Sequence, residues 1–309
     1  MKLCNAPAVS AATLYFGAES FDVGSEIVEL RVSNDIAESR EALHARMEQD
    51  GYLFFRGFFD REQTLAARMA VLRRIAAMGC LDPETPIAEG IVSAENRSLG
   101  LFRDLAIAHS PEILALVDGP EIRRFFTWFL GGEILTFDKR WLRAMATGGF
   151  SGWHYDSVFM NRGTRNLYTC WTPIGDISLD QGPLAILLGS HRLEQIKKSY
   201  GAIDVDRDHL DPIFTTSPRE MIDRFGCTLA TTHFRAGDLL IFGLYMMHGS
   251  FPNATNRYRI SIDTRYQLAS EPVDDRFMGK NGTWKGNYSY SNPAPRTPMQ
   301  ELRPKWGLD

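Results

Sequence analysis

Apolar and polar positions follow different patterns on either side of residue 132. The part before it contains stretches of mixed apolar and polar residues. Each begins at a residue that can cap a helix and ends at a glycine, which is the pattern of helices. This pattern predicts helices from Ser33-Asn34-Asp35 to about Met47, from Asp60 to Met78, and after Ser110-Pro111 and Gly119-Pro120. A short apolar strand at Tyr52 to Gly57 lies between the first two. Residues 1–132 are therefore predicted to form mostly helical support.

After residue 132, short apolar stretches alternate with Gly, Pro and Asp turns. We expect strands at 133–137, 139–146, 152–157, 167–172, 184–188, 228–234, 238–242 and 258–267. Several short strands separated by such turns indicate an all-β barrel or jelly roll. We interpret 1–309 as a single domain, with its β core at 133–270. A C-terminal extension at 271–309, rich in Asn, Gly, Pro and Ser, is either an ordered wrap or partly loose.

Composition excludes several classes of protein. A net charge of -4 gives no support for a nucleic-acid or acidic-membrane partner. No run of about 18 uncharged apolar residues predicts a membrane span, and Asn5 and Pro7 interrupt any signal peptide. The cysteines lack paired spacing and suit a reducing cytoplasm; they are Cys4, Cys80, Cys170 and Cys227. A small-molecule partner remains, and the sequence says nothing about oligomeric state.

The strongest chemical signal is the pair His154 and Asp156 in the run Ser151 to Ser157. Side chains two apart on an extended strand share a face, so both can hold one metal ion. A second imidazole could come from His248, which follows an apolar strand after the Gly237-Asp238 turn. Two histidines and one carboxylate on one face of an ion suit non-haem Fe(II). By itself, His248 fits equally well as a surface residue beyond a core strand.

A second signal lies in the strand that ends the predicted core. Alternation gives it an apolar face and a polar face, the polar one formed by Arg257, Arg259, Ser261, Asp263 and Arg265. Such a face often lies in water at a sheet edge. The functional alternative points Arg259 and Ser261 into the barrel. A buried guanidinium needs an anion, and arginine binds carboxylates through two parallel hydrogen bonds, so a dicarboxylate would fit.

These pieces together resemble the phytanoyl-CoA dioxygenase family of Fe(II)/2-oxoglutarate oxygenases. The resemblance covers about residues 35–270, and Arg259 lies eleven residues after His248, the spacing typical of this family. One departure is Leu188, where the family usually has proline. The matching segments are Asp50 to Phe58, Trp153 to Asp156, Trp171, Asp180 to Leu184, Gly189 to Arg192, Gly237-Asp238, His248 to Ser250, Pro252-Asn253 and Arg259 to Ser261.

The resemblance implies a mainly β fold with flanking helices around a double-stranded β-helix, a cupin-like jelly roll. It implies that His154, Asp156 and His248 bind Fe(II) and are the catalytic residues. The cosubstrate 2-oxoglutarate would then lie against Arg259, Ser250, Ser261 and Trp171. A segment that often contains Lys-Pro is Met145 to Gly149 here, so the donor to the keto-acid end stays unassigned.

The implied reaction consumes O₂ and 2-oxoglutarate, releases succinate and CO₂, and hydroxylates a C–H bond. Related halogenases have Ala or Gly in place of Asp156, so a hydroxylase is expected, with desaturation or ring formation still open. We expect a small substrate such as a natural product, an amino-acid-like molecule or an acyl compound. Its candidate contacts, each with an equally good core or surface role, are Phe159, Arg162 and Tyr245.

Two other functions are compatible with parts of this pattern. A non-catalytic cupin-like protein could bind a metal or small molecule, and a zinc hydrolase could use a similar ligand set. Neither would need Arg259 beside Ser261 on one strand face. The oxygenase is therefore the hypothesis that uses all the motifs.

Overall fold

The computed structural model describes residues 13–95, 99–279 and 295–308. Its strands in chain order are β1 Thr13–Phe16, β2 Glu19–Asp22, β3 Ile27–Glu29, β4 Tyr52–Phe55, β5 Gly100–Leu101, β6 Ile134–Thr136, β7 Trp141–Met145, β8 Ser151–His154, β9 Tyr168–Pro173, β10 Leu184–Leu188, β11 Thr228–Thr231, β12 Leu239–Gly243, β13 His248–Ser250 and β14 Arg259–Leu268. Its helices are α1 Arg40–Asp50, α2 Arg61–Ala77, α3 Leu105–Ala108, α4 Pro111–Val117, α5 Pro120–Leu130, α6 Glu194–Lys198, α7 Val205–Asp208, α8 Pro218–Phe225 and α9 Met299–Leu302.

Most of the strands form two sheets. The larger has the order β4-β12-β9-β14-β7-β5, with β6 also paired to β14, and the smaller has the order β3-β11-β10-β13-β8. Apolar side chains of both sheets, including Trp171 and Phe242 from one and Ile186 from the other, form a common core between them. This architecture confirms the predicted mainly β jelly roll with flanking helices.

The alternation along β14 determines what each face of the large sheet contacts. Tyr258, Ile260, Ile262 and Tyr266 belong to an apolar core shared with residues of α2, α4 and α5. The intervening polar residues are equally buried but lie on the opposite face. Because the helices cover one side of the strand, the charged side must face the interior between the two sheets. The sheet-edge alternative for this strand is thus wrong.

Helix starts follow the predicted chemistry at most positions. Asp60 accepts a hydrogen bond from the Gln63 amide at the start of α2, and Ser110 does the same for Ile113 in α4. The first helix differs from the prediction, because Ser39 caps it and Ser33-Asn34-Asp35 leads into a separate 3₁₀ turn. Gly51 ends α1 with φ 79°, a conformation that glycine adopts without steric cost.

The strands that the sequence did not predict are short. Residues 13–132 supply β1, β2, β3 and β5 besides the expected β4. Strand β3 pairs in parallel with β11, and β5 pairs with β7. Segments of two to four residues carry little periodicity, and their extended form depends on these distant partners.

The described part of the C-terminal extension packs against the body. Met299, Leu302 and Leu308 are buried in a core beside the smaller sheet, and Arg303 is ion-paired with Glu220. The rest of the predicted extension, at 280–294, and Cys4 lie outside the described residues. Cys80, Cys170 and Cys227 are free and buried. Among the described helices, none has the length and apolar character needed to cross a membrane.

Candidate active site

Two neighbouring strands bring His154 and His248 together. His154 ends β8, His248 begins β13, and the two are directly opposite in the antiparallel pair. Their rings lie 4.3 Å apart between centroids. In each ring Nδ1 donates to a backbone carbonyl two residues earlier, at 2.8 Å to Gly152 and 2.9 Å to Met246. This tautomer leaves both Nε2 lone pairs available to a metal ion.

Asp156 completes the group from just beyond the strand. The sequence predicted it within the same strand as His154, but β8 ends at His154 and Asp156 begins a 3₁₀ turn. Tyr155 between them is still extended, with φ -92° and ψ 140°, so the two side chains converge as predicted. Oδ1 of Asp156 lies 3.8 Å from Nε2 of each histidine. The three ligand atoms lie within 4.8 Å of one another.

The other carboxylate oxygen of Asp156 is already bound by protein groups. Oδ2 accepts hydrogen bonds from Nη2 of Arg265 at 2.9 Å and from the hydroxyl of Thr169 at 2.5 Å. Oδ1 therefore remains as the oxygen that faces both imidazoles. We refer to His154, Asp156 and His248 as the triad.

Burial and neighbouring charges set the protonation of the triad. Burial, together with the charge of His248, lowers the pKa of His154 to about 3. Burial also lowers the pKa of His248. For Asp156, burial raises the pKa, but Arg265 and the two histidines lower it by more, so the net shift is downward. At neutral pH the triad is two neutral imidazoles and one carboxylate, the donor set of non-haem Fe(II) sites.

Arg259 lies beside the triad and has no ion pair with any described residue. Its side chain is 1% exposed, and none of its three guanidinium nitrogens has a hydrogen-bond partner within the described chain. Burial and the nearby charge of Arg143 lower its pKa to about 9. Leaving a guanidinium buried without a partner costs several kcal/mol, on the order of what breaking a buried ion pair costs. The position therefore fits a ligand that supplies an anion.

The cavity around Arg259 contains most of the other predicted cosubstrate residues. Its lining includes Trp171, Leu184 and Ser250 together with both histidines. Ser250 receives a hydrogen bond from the amide of Ser151 at 3.0 Å. Ser261 is fully buried next to this cavity, and its hydroxyl has no partner in the described ranges. The chemistry of these groups, a buried cation beside two hydroxyls, matches the carboxylate ligand that the sequence motifs imply.

A second cavity, of about 260 Å³, also lies at the triad and shares Arg143, Ser151 and His154 with the first. His154, Asp156 and Arg265 form its floor. Its other lining residues are mainly apolar and aromatic, with two further arginines, and are Leu101, Arg103, Trp141, Arg143, Phe150, Ser151, Gly152, Phe159, Met160 and Ile213. Small-molecule sites usually have volumes of about 300 Å³ or more, so the volume of this cavity indicates a compact ligand.

Of the three predicted substrate contacts, the structure brings only Phe159 to this cavity. Arg162 is ion-paired with Asp204, 2.5 Å between Nε and Oδ2. Tyr245 lines a different cavity with Met47 and His191. Neither of these two side chains lines the cavity at the triad.

Several residues at the site were not identified from the sequence. Asp263 and Arg265 lie on the predicted polar face of β14, but the sequence assigned them no role. Arg143 lines both cavities and pairs with Asp263 at 3.1 Å. Thr169 and Trp141 carry no signal in the sequence, because only strand pairing places them near the triad.

Comparisons with known proteins agree with this geometry. A model of the family described as phytanoyl-CoA dioxygenase (PhyH) matches residues 47–261. A 1-deoxypentalenic acid 11-beta-hydroxylase from Streptomyces exfoliatus is 25% identical over 256 residues, which cover 76% of this chain and 83% of that protein.

Two solved structures are similar in fold. EctD from S. alaskensis has a TM-score of 0.54 at 21% identity, over 88% of this chain and 92% of that one. The epimerase SnoN, crystallised with Fe3+, alpha-ketoglutarate and nogalamycin RO, has a TM-score of 0.53 at 19% identity, over 84% and 93%.

Proposed function

Because this chain belongs to the phytanoyl-CoA dioxygenase family of Fe(II)/2-oxoglutarate-dependent oxygenases, we propose that it hydroxylates an unactivated C–H bond of a small molecule. The substrate would be a natural product, an amino-acid-like molecule or an acyl compound. The observation that carries the proposal is the triad beside Arg259, a buried guanidinium to which the described part of the chain offers no ion-pair partner.

His154, Asp156 and His248 would hold the metal ion from one face. When bound, ferrous iron supplies the redox chemistry by which 2-oxoglutarate, O₂ and R–H become succinate, CO₂ and R–OH. The carbonyls of Gly152 and Met246 fix the imidazole tautomers. Arg265 and Thr169 fix the carboxylate so that it offers one oxygen. Such outer hydrogen bonds orient metal ligands and tune their basicity.

Arg259 would bind the distal carboxylate of 2-oxoglutarate, with Ser250 and Ser261 as further donors and Trp171 as an apolar wall. The guanidinium is planar and matches a carboxylate with two parallel hydrogen bonds. The surrounding core excludes water, which strengthens this ion pair relative to one at the surface. This ion pair would hold the cosubstrate in one orientation beside the triad.

Hydroxylation is favoured over other outcomes by two facts. Asp156 would take the coordination position that a halide needs, so halogenation is not expected. The matched hydroxylases, from Streptomyces exfoliatus and Streptomyces arenae, act according to their names on 1-deoxypentalenic acid. The rival function, a non-catalytic cupin-like binding protein, gives no role to a buried Arg259 without a counter-ion.

The experiment that tests the proposal begins without oxygen. Fe(II) and 2-oxoglutarate added anaerobically to the protein should give a weak visible charge-transfer band. Asp156→Ala should lose this band, together with succinate formation in the presence and absence of substrate. His44→Ala, which removes a histidine stacked on Phe129 away from the triad, is the matched control. Retained turnover by Asp156→Ala would refute the metal assignment.

The reaction type can be identified only from the product. Under air, compounds that stimulate succinate release should gain one oxygen atom, measured by mass spectrometry with ¹⁸O₂. A product that lacks hydrogen without gaining oxygen would replace hydroxylation by desaturation or ring formation.

A further inference from the structure

The charges around the two cavities do not balance. Among the described residues, their charged lining consists of Arg103, Arg143, Arg259, Arg265, Asp156 and Asp263. A ferrous ion and a doubly charged 2-oxoglutarate cancel each other formally. The loaded site would therefore keep the positive excess of its side chains. In a low-dielectric cavity such an excess favours an anionic ligand.

We propose that the substrate is a small apolar carboxylic acid whose carboxylate binds Arg103. This inference rests on the proposed oxygenase function and names the substrate class for the same site. Three of the four arginines already have a partner or a role. Arg265 binds Asp156 at 2.9 Å, Arg143 binds Asp263 at 3.1 Å, and Arg259 faces the cosubstrate cavity.

Arg103 is the remaining cation. It lies exposed at the rim of the substrate cavity and has no ion pair with any residue that the structure describes. The adjacent Asp104 is not available to it. That carboxylate pairs with Arg74 at 2.5 Å and caps α3 through the Ile107 amide.

A second cation lies near Arg103. Lys139 places its amine 5.3 Å from the ring centroid of Trp141, a residue of the cavity wall. Burial, and then the charge of Arg103, lowers the pKa of Lys139 to about 8. The like charges of Lys139 and Arg103 repel each other, and an anion bound at Arg103 would relieve this repulsion.

The rest of the cavity determines the body of the substrate. Leu101, Trp141, Phe150, Phe159, Met160 and Ile213 offer apolar surface between the rim and the triad. Along these six side chains a hydroxylated or charged body would lose water contacts and find no hydrogen-bond partner. A carboxylate at the rim would point an apolar ring or chain inward, toward the metal. The fork of a single arginine matches a carboxylate in particular.

The test compares acids with their neutral counterparts. The probes are 1-deoxypentalenic acid and a panel of cyclic and branched apolar carboxylic acids, each paired with its methyl ester. The anaerobic charge-transfer band of the Fe(II)–2-oxoglutarate complex reports binding, and succinate release under air reports turnover. An acid should bind about tenfold more tightly than its ester, the size of one charge-assisted hydrogen-bonded pair. Arg103→Glu should remove this preference.

Arg73→Glu is the matched control, since it reverses an exposed arginine on α2 away from the cavities. It should keep both the band and the preference for acids. Equal effects of acid and ester, no effect of any acid, or an unchanged preference in Arg103→Glu would overturn the inference. The oxygenase function would still stand if the band and basal succinate release persist. If the wild-type protein showed neither the charge-transfer band nor basal succinate release, the proposed function itself would be refuted.

Discussion

Nη2 of Arg265 lies 2.9 Å from Oδ2 of Asp156, and this contact joins the polar face of β14 to the triad. The guanidinium also lies 4.6 Å from the ring centroid of Trp141 in the substrate cavity. Arg265 therefore contacts both the carboxylate of the triad and an aromatic residue of the substrate wall. It is a positioning residue, because it acts on the metal through Asp156.

Replacing Arg265 should weaken metal binding. In Arg265→Gln the carboxylate loses its charged partner and can rotate, so affinity for Fe(II) should fall about 10- to 100-fold. Titration of the anaerobic charge-transfer band with Fe(II) measures this affinity. The ratio of succinate to hydroxylated product should also rise, because 2-oxoglutarate decarboxylation would no longer be coupled to substrate hydroxylation. Arg265→Lys should restore part of the affinity.

A general loss of stability would not give this pattern. Arg140→Gln is the control, because it removes another buried arginine, one paired with Asp118 at 2.9 Å and absent from both cavities. It should leave Fe(II) affinity unchanged. Equal Fe(II) affinities in Arg265→Gln and the wild type would show that Arg265 does not position the ligand.

Arg259 offers a test in which stability and binding change in opposite directions. Arg259→Met removes a buried, unpaired charge, so the protein without 2-oxoglutarate should unfold at a higher temperature than the wild type. The apparent KM for 2-oxoglutarate should rise about 10- to 100-fold with the loss of charge-assisted hydrogen bonds. Fe(II) should still bind, as measured by equilibrium dialysis. Unchanged 2-oxoglutarate affinity would contradict the assignment.

Arg162 should contribute to the stability of the fold and not to substrate binding. Its partner Asp204 is 1% exposed, so Arg162→Glu would place two carboxylates together and lower the free energy of unfolding by about 1–3 kcal/mol. Urea denaturation measures this. Substrate-stimulated succinate release should keep the wild-type dependence on substrate concentration. A changed dependence would return Arg162 to the substrate site.

Asp204 should also make the free energy of unfolding depend on pH in the acid range. Burial raises the pKa of this carboxyl, but Arg162 and Arg276 lower it by more, so its folded pKa lies below the ordinary value of 3.8. A lowered pKa stabilises the folded protein above pH 3.8, and this contribution disappears as the pH falls through the folded pKa. Unfolding free energy should therefore decrease less steeply below pH 4 in Asp204→Asn than in the wild type. Asp223→Asn, on the exposed side of α8, should behave like the wild type.

Features that depend on neighbours along one strand could be predicted from the sequence. The spacing of His154 and Asp156 and the alternation of β14 are examples, whereas the eleven residues from His248 to Arg259 have meaning only through the family resemblance. A side-chain period of two places such residues on a common face whatever the rest of the chain does. The common face of His154 and Asp156 and the polar face of β14 could therefore be predicted locally, and the succession of short strands and turns predicted the jelly roll that the structure shows.

Only the tertiary structure decided the partners of these residues. The register that sets His248 opposite His154, the contacts of Arg265 and Thr169 with Asp156, and the place of Arg103 at the rim all join segments far apart in sequence. The tertiary structure also places Arg162 and Tyr245 outside the cavity at the triad. Pairing between distant strands depends on how two faces pack and on the loops that join them. That information is spread over the whole chain and is absent from any one motif.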